Sequence, residues 1–287
     1  MRDFILGSDW WTDCDDAVAI RILARAVKSG KINLLGIGIN ACMEYSAASI
    51  KAYLKNEKLD FVTVGIDLEA TDFGGKPPYQ KRLSETCTPY VKNEDLEDAA
   101  SLYVRLLKNA ENKVEIIEIG YPQVLDTVLE KEPELFYEKV EKVWMMAGKW
   151  DEPLGKENNF ARNERSRKAA AHFCENCKVP VVFLGWEVSF DILTGGELAK
   201  DDVLYRILCD HGSENGRSSW DPMLVQLAVT GDIGKAGYTA VYGKASVNVE
   251  TGENSFTEDK NGIQCYVKKI YPNDYYKNAI NEIIKST

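Results

Sequence analysis

The stretch GSDWWTDCDDA spans residues 7–17 and carries four aspartates: Asp9, Asp13, Asp15 and Asp16. An apolar run at residues 4–6 precedes it and a buried helical pattern follows it, so it connects a strand to a helix. Two carboxylates about 4 Å apart repel by about 4 kcal/mol near a protein surface. A hard cation with oxygen ligands, Ca²⁺ or Mg²⁺, removes that repulsion. The pattern predicts a metal site. The competing interpretation is a helix N-cap with surplus aspartates.

Composition limits the class of protein. The chain has 287 residues, 45% of them hydrophobic, which suits one large α/β domain. A net charge of −10 argues against nucleic-acid and membrane-surface binding, which need basic patches. Seven cysteines, an odd number, indicate reduced thiols and a cytoplasmic location.

Strand and helix patterns alternate along most of the chain. Strands are predicted at residues 4–6, 32–39, 61–64, 114–119, 143–147 and 179–184. Helices are predicted at residues 16–28, 45–56, 93–110, 122–130, 164–174, 202–209, 222–229 and 274–285. The alternation indicates a parallel sheet covered on both faces. From residue 238 onward the pattern changes to antiparallel strands.

Ligands of such sheets bind beyond the carboxyl ends of the strands. That rule brings together the loops 9–16, 40–45, 119–120, 148–159 and 185–187. The polar, turn-rich segment 71–79 is a candidate lid or substrate loop.

Two further clusters contribute to this edge. Glu157, Asn158 and Asn159 combine acceptors and donors, which suits a ligand with vicinal hydroxyls. A plain loop cap is the alternative. Asp221 directly precedes Pro222 at the start of a helix, where a simple N-cap is the default interpretation.

Nucleophilic catalysis has little support in the sequence. The two histidines, His172 and His211, are interpreted as a helix residue and a loop residue. The sequence has no GxSxG, GxxxxGK[ST] or GxGxxG motif. An acid-nucleophile phosphohydrolase with Asp13 and Asp15 as its Asp-x-Asp pair is a further alternative. That class expects the pair directly after the first strand.

Several blocks between about residue 4 and residue 225 resemble the inosine–uridine-preferring nucleoside hydrolase family. The resemblance is that of a divergent member. Residues 9–17 are similar to the family's long form Asp-x-Gly-Thr-Asp-Cys-Asp-Asp-Ala. The other matching blocks follow in the family's order: Leu35-Gly36-Ile37, Ile119-Gly120, Met146-Ala147-Gly148, Glu157-Asn158-Asn159-Phe160, Gly185-Trp186-Glu187-Val188 and Ser219-Trp220-Asp221-Pro222.

The resemblance implies a Rossmann-like α/β fold in a single domain over residues 1–287. That fold has a mostly parallel sheet, helices on both faces and a C-terminal antiparallel β-extension. It also implies bound Ca²⁺ and hydrolysis of the N-glycosidic bond of ribonucleosides, with Asp9 as general base on the metal-bound water. The implied calcium ligands are Asp9, Asp16, Asp221 and the main-chain carbonyl of Ile119. The implied ribose contacts are Asp15, Glu157 and Asn159.

The sequence also departs from the family pattern. Trp11 stands where the family usually has Gly, and the loop is two residues longer than the common form. This leaves open whether Asp9 or Asp13 faces the metal, with Asp13 otherwise a substrate contact. Trp220 stands where many members have the His that protonates the leaving base. The candidates for stacking on a base are Trp220, Trp150, Trp10 and Trp11.

Smaller departures flank the aspartate loop. Gly7 replaces the first Asp of the shorter family motif. Asn40 or Glu44 replaces a Gly-Asn ribose contact after the second strand.

We therefore expect a Ca²⁺-dependent N-ribosyl hydrolase of small nucleosides or ribosides, in purine or pyrimidine salvage, forming a homo-dimer or homo-tetramer. The alternative is a protein that binds Ca²⁺ and ribose with little or no catalysis.

Overall fold

The computed structural model describes residues 1–151 and 154–286, and within them it contains twelve strands and twelve α-helices. The strands are β1 (Arg2–Ser8), β2 (Ile32–Ile39), β3 (Thr63–Ile66), β4 (Glu97–Asp98), β5 (Val114–Glu118), β6 (Val140–Met146), β7 (Val181–Leu184), β8 (Leu193–Thr194), β9 (Arg217–Ser218), β10 (Tyr238–Val247), β11 (Asn254–Glu258) and β12 (Gln264–Lys269). The helices are α1 (Asp15–Lys28), α2 (Ser46–Asn56), α3 (Gln80–Ser84), α4 (Ala99–Asn109), α5 (Gln123–Lys131), α6 (Pro133–Lys139), α7 (Asn158–Ala161), α8 (Glu164–Asn176), α9 (Trp186–Ser189), α10 (Val203–His211), α11 (Trp220–Thr230) and α12 (Asn273–Lys285).

Ten strands form one sheet in the order β11-β10-β12-β7-β6-β5-β1-β2-β3-β4. The strands from β7 to β4 are parallel to their neighbours, and β12 is parallel to β7. β10 is antiparallel to both β11 and β12. The predicted mostly parallel sheet with a C-terminal antiparallel part is confirmed. The antiparallel strands extend the same sheet.

Side-chain alternation along β1 divides the core into two layers. Phe4 and Leu6 pack in one cluster with residues of α1, α11 and α12, whereas Ile5 packs in another with residues of α4, α5 and α8. Successive strand residues point to opposite faces of a sheet. The buried run of β1 therefore requires helices on both faces, as the sequence predicted.

The predicted helix 93–110 is wrong in its first part. The structure has a 3₁₀ turn at Asn93–Asp95, then β4, and only then α4. The Asp98 side chain accepts a hydrogen bond from Ser101 N at 2.8 Å, so Asp98 is the N-cap of α4. The cap residue sets the start of the helix, and the residues before it pair with β3.

Among the described residues, no helix is long and apolar enough to cross a membrane. The cysteine thiols are all free.

Gly7 on β1 lies beside Glu118 on β5, and the two are register partners. A Cβ added at Gly7 would come 2.1 Å from Glu118 Oε2, so the glycine makes room for the carboxyl group. Glu118 Oε1 accepts hydrogen bonds from Asn40 Nδ2 at 2.8 Å and Gly120 N at 3.0 Å. Gly7 thus allows Glu118 to hold the loops after β2 and β5 together.

We expect Gly7→Ala to lower the free energy of unfolding by about 1–3 kcal/mol, because its methyl group would overlap the buried Glu118 carboxyl. Urea unfolding measures the change. The matched control is Gly234→Ala, whose added Cβ would meet Asp232 Oδ1 at 3.5 Å, an ordinary contact. The control should stay within about 0.5 kcal/mol of wild type. Equal stabilities of the two variants would contradict the packing described.

Candidate active site

Five loops meet at one edge of the sheet. They follow β1, β2, β5, β6 and β7, which are consecutive neighbours in the sheet. Because these strands are parallel, their carboxyl ends lie on the same side, where open α/β sheets bind ligands. The loops that the sequence analysis brought together do lie together.

Three aspartates of the loop 7–17 form a tight group. Asp13, Asp15 and Asp16 each offer a carboxylate oxygen, and these atoms lie within 4.8 Å of one another. Asp15 and Asp16 are buried in the first turn of α1, while Asp13 is partly exposed. The Asp13 carboxylate also accepts a hydrogen bond from Arg217 Nη2 at 3.0 Å.

Asp9 and Asp221 are electrostatically coupled to this group. Both are buried, and burial raises the pKa of each well above its usual range. Neighbouring negative charges raise both pKa values further. The charge of Asp16 has the largest effect on Asp9, and the charge of Asp15 has the largest effect on Asp221. The pKa of Asp16 rises to about 7 through burial and then through the charge of Asp13. Without a counter-charge, these carboxyls resist ionisation.

The first turns of α1 and α11 meet at the cluster. Asp221 N donates a hydrogen bond to Asp15 Oδ2 at 3.2 Å, which joins the two helix starts. The N-terminus of a helix carries a partial positive charge that favours nearby anions. The helix termini therefore compensate part of the repulsion among the aspartates.

One oxygen of the cluster has no partner in the described chain. Asp16 Oδ1 accepts from Ser8 Oγ at 2.5 Å and from Trp10 N at 3.3 Å, whereas Asp16 Oδ2 is buried without a hydrogen bond. A buried, unpartnered carboxylate oxygen is costly unless a cation binds it. Oxygen donors suit a hard divalent cation. Asp13, Asp15 and Asp16 lie close enough together to fit one, and Asp9 and Asp221 are near enough for their charges to interact with this group.

A cavity of about 330 Å³ adjoins the cluster. The predicted site residues that line it are Asp9, Asp13, Asp15, Ile119, Glu157, Asn159, Trp220 and Asp221. Asp16 and Trp150 are not among the lining residues. The choice between Asp9 and Asp13 stays open, because both line the cavity.

Glu157 and Asn159 are fixed by the main chain around them. The buried Glu157 carboxylate accepts from Asn159 N at 2.7 Å, Gly148 N at 3.0 Å and Phe160 N at 3.3 Å. It caps α7, and burial raises its pKa to about 7. Asn159 Nδ2 donates to the Met146 carbonyl at 2.8 Å. Both side chains are therefore held rigidly at the cavity wall.

The carbonyl of Ile119 is directed towards the same group of residues. It accepts a hydrogen bond from Asn159 Nδ2 at 3.4 Å. Ile119 follows β5, where the Asn40–Glu118 hydrogen bond holds the strand ends together. The carbonyl predicted as a ligand is thus part of the cavity wall.

Trp150 does not fit its predicted role in stacking on a substrate. Its ring is 5% exposed and stacks on Tyr266 at 5.8 Å, with Phe160 and Phe183 also in contact. Trp150 Nε1 donates to the Ala147 carbonyl at 3.1 Å. The residue is a core aromatic, because its loop turns inward towards β7 and β12.

The two tryptophans of the aspartate loop have different places. Trp10 is fully buried between Tyr53 and Tyr79, so its proposed stacking on a base does not fit the structure either. Trp11 lines the cavity and packs against Phe73 of the 71–79 segment. The extra bulk of the loop is thus divided between the core and the cavity wall.

Sequence reasoning does not select five described residues of the wall: Thr12, Met146, Trp186, Arg217 and Arg162. Trp186 follows β7, so the rule for strand ends already indicated its region. Arg217 lies two residues before the Ser219–Pro222 block, but nothing in its pattern shows the pairing with Asp13. Arg162 carries no sequence signal, because its position depends on how the 71–79 segment folds against α7.

Comparisons of sequence with protein-family models and with curated proteins found no match. Solved structures do match. An inosine–uridine-preferring nucleoside hydrolase from Bacillus anthracis has a TM-score of 0.73 and 14% identity, covering 100% of both chains. A purine-preferring ribonucleoside hydrolase from Gardnerella vaginalis has a TM-score of 0.75 and 18% identity, covering 99% of this chain and 98% of its own. The type III effector XopQ, solved with adenosine diphosphate ribose, has a TM-score of 0.68 and 13% identity, covering 99% of this chain and 92% of its own.

These likenesses extend over the whole sheet and its helices. They first show the class of fold, an α/β protein; the acidic pocket at the strand ends is formed by this chain's own residues. More narrowly, the fold is that of the nucleoside hydrolases. The resemblance seen in the sequence is confirmed for the fold.

In chelator-treated protein, we expect the free energy of unfolding to fall as the pH rises from about 5 to about 7. An unfolded aspartate loses its proton near pH 3.9, whereas folded Asp16 keeps it up to about 7. The folded state binds more protons in this window, so stability decreases as pH rises. Urea unfolding at several pH values measures the slope. Asp16→Asn should make the slope shallower, because an amide does not titrate.

The matched control for this experiment is Asp232→Asn, at a half-exposed aspartate outside the cavity. It should keep the wild-type slope. A wild-type stability that rises across the window, or an Asp16→Asn variant with an unchanged slope, would contradict the account of the cluster.

Proposed function

We propose that this protein hydrolyses the N-glycosidic bond of ribonucleosides or related ribosides in a Ca²⁺-dependent reaction. The observation that carries the proposal is the buried aspartate cluster beside a cavity whose other wall holds Glu157 and Asn159. A group of carboxylates suits a cation and an electron-poor sugar, and the acid–amide pair suits ribose hydroxyls. The two nucleoside hydrolases of the same fold support the same reaction class.

The oxygen-only donor set favours Ca²⁺ among the common cations, because Ca²⁺ accepts six to eight oxygen ligands in flexible geometry. In this proposal the ligands are Asp9, Asp16, Asp221 and the Ile119 carbonyl. The bound ion would supply positive charge and Lewis acidity towards water. Asp16 Oδ2, buried without a partner, supports this assignment.

The protein's own groups perform the remaining tasks. Asp9 lines the cavity, and a cation bound beside it would keep its carboxylate ionised, which is the form that accepts a proton as a general base. Glu157, Asn159 and Asp15 orient the sugar through its hydroxyls. The carboxylates of Glu157 and Asp15 stabilise the positive charge that develops on the sugar as the nucleobase departs.

Among the described residues of the cavity wall there is no His, Lys or Cys that could protonate the departing nucleobase, and the proposal assigns the carboxyl groups to the cation and the sugar. Trp220 lines the cavity, but its Nε1 donates to the Trp186 carbonyl at 2.9 Å and is therefore already committed. The Arg217 guanidinium lies 5.1 Å from the Trp220 ring centroid and does not release protons. Trp220 and Trp186 can stack on an aromatic leaving group. We therefore propose substrates whose leaving group departs without protonation.

Asp9→Asn should lower kcat by about 10²–10⁴-fold, because it removes the general base. Asp13→Asn should lower kcat less than about tenfold if Asp13 only pairs with Arg217. Ribose release from a panel of nucleosides measures both, with added Ca²⁺ and with chelator. The control is again Asp232→Asn, which should retain wild-type rates.

The opposite order of effects would assign the base to Asp13. Near-normal activity of both variants would reject the mechanism. The alternative function, a Ca²⁺-dependent ribose-binding protein, predicts measurable ribose affinity with no turnover of any nucleoside. Its support is Trp11, which occupies part of the wall where a smaller residue would leave more room.

We expect 4-nitrophenyl β-D-ribofuranoside to be hydrolysed about 10²-fold faster than inosine, because nitrophenolate leaves without an acid and hypoxanthine benefits from one. Steady-state kinetics with both substrates measures the ratio. A hydrolysis with inosine as fast as with the nitrophenyl riboside would show that the cavity contains an acid.

The proposal also includes the cellular location and the oligomeric state. We expect a cytoplasmic enzyme of nucleoside salvage that forms a dimer or tetramer. Light scattering after size-exclusion chromatography measures the assembly.

A further inference from the structure

Arg162 is a cation in a cavity otherwise rich in carboxylates. Its guanidinium carbon lies 4.4 Å from the Trp11 ring centroid, and its Nη2 donates to the Phe73 carbonyl. No described carboxylate lies within ion-pair distance of Arg162, whereas Arg217, the other arginine of the cavity, is paired with Asp13 at 3.0 Å. Arg162 is thus held in place by contacts that leave its charge uncompensated.

A shallow groove continues from the cavity on the Arg162 side. The groove and the cavity share Glu157, Asn158 and Arg162, and the groove extends to the exposed Lys156. Its charged side chains are two cations, Lys156 and Arg162, and the single buried carboxylate of Glu157, which receives three main-chain N–H groups. The surface that leads out of the cavity here is therefore positively charged.

The chemistry of Arg162 suits a phosphate. A guanidinium has five N–H donors in a planar fork that matches phosphate oxygens, and stacking on an aromatic ring fixes its plane. Among the described hydrogen bonds, Arg162 uses one donor, towards Phe73. The remaining donors are available to a ligand that extends from the cavity into the groove.

We propose that Arg162, with Lys156, forms a phosphate subsite, and that the substrate is a riboside phosphorylated on its sugar, such as a nucleoside 5′-phosphate. The inference rests on the proposed function, which assigns the sugar to Glu157 and Asn159. Those residues lie within one short helix of Arg162, so a phosphate on the sugar is within reach of the guanidinium. The base faces Trp220 and Trp186 at another part of the wall.

The test compares ribose 5-phosphate with ribose in calorimetric binding, and nucleoside 5′-monophosphates with nucleosides in hydrolysis, always with the full chain and added Ca²⁺. Wild type should prefer the phosphorylated compound by about tenfold to one hundredfold, in affinity and in kcat/KM. Arg162→Gln should lose most of this preference, measured as the ratio of the two substrates within the variant, because the fork that holds the phosphate is gone. Arg162→Lys should retain part of it, because the charge remains and the fork is lost.

The matched control is Arg167→Gln. Arg167 lies on α8 outside the cavity, with Nε bonded to the Val249 carbonyl at 2.9 Å. It should keep the full preference, and thermal melting of each variant checks that all are folded. No phosphate preference in wild type, or an equal preference in Arg162→Gln, overturns the subsite while nucleoside turnover still supports the proposed function. Absence of both ribose binding and riboside turnover overturns the proposed function together with the subsite.

Discussion

Repulsion among buried carboxylates is the constraint that organises this molecule. Asp9, Asp15, Asp16 and Asp221 are each at most 8% exposed and lie at one edge of the sheet. The fold meets this cost with two helix N-termini, the Ser8 hydroxyl and the Arg217 guanidinium. These contributions are incomplete, because Asp16 Oδ2 still has no partner in the described chain. The part of the cost that remains is what a bound cation would remove, and this links the fold to the proposed chemistry.

The aspartate loop is held in its unusual conformation by the packing of Trp10. Trp10 adopts φ 43°, in the left-handed region that non-glycine residues rarely occupy. Its indole packs between Tyr53 and Tyr79, and its Nε1 donates to Ser49 Oγ at 2.8 Å. This packing offsets the backbone strain, which is of order 1–3 kcal/mol for such residues. The buried Trp10 side chain thus holds the loop that carries Asp9 and Asp13. Trp11, the next residue, forms part of the cavity wall.

The sequence predicted the parallel sheet, its antiparallel extension and the edge that carries the site, because each depends on local patterns. The alternation of buried strands and helices is visible in β1 and α1, and strand ends must gather the loops. The positions of the Trp150 and Arg162 side chains could not be predicted from the sequence. Whether an aromatic residue enters the core or a pocket, and whether an arginine is paired, depends on contacts between segments distant in sequence. The pattern predicts a helix from residue 93 because the sequence does not distinguish Asp98, the N-cap of α4, from the polar residues before it.

The most direct test of the central claim is calorimetric titration of chelator-treated protein with Ca²⁺ near pH 6 in buffers of different ionisation enthalpy. The account predicts one ion per chain and a release of protons, because the cation displaces protons from carboxyls whose pKa is raised. The release should decrease in Asp16→Asn. Absence of binding, or binding without proton release, would contradict the claim that the aspartate cluster is a cation site.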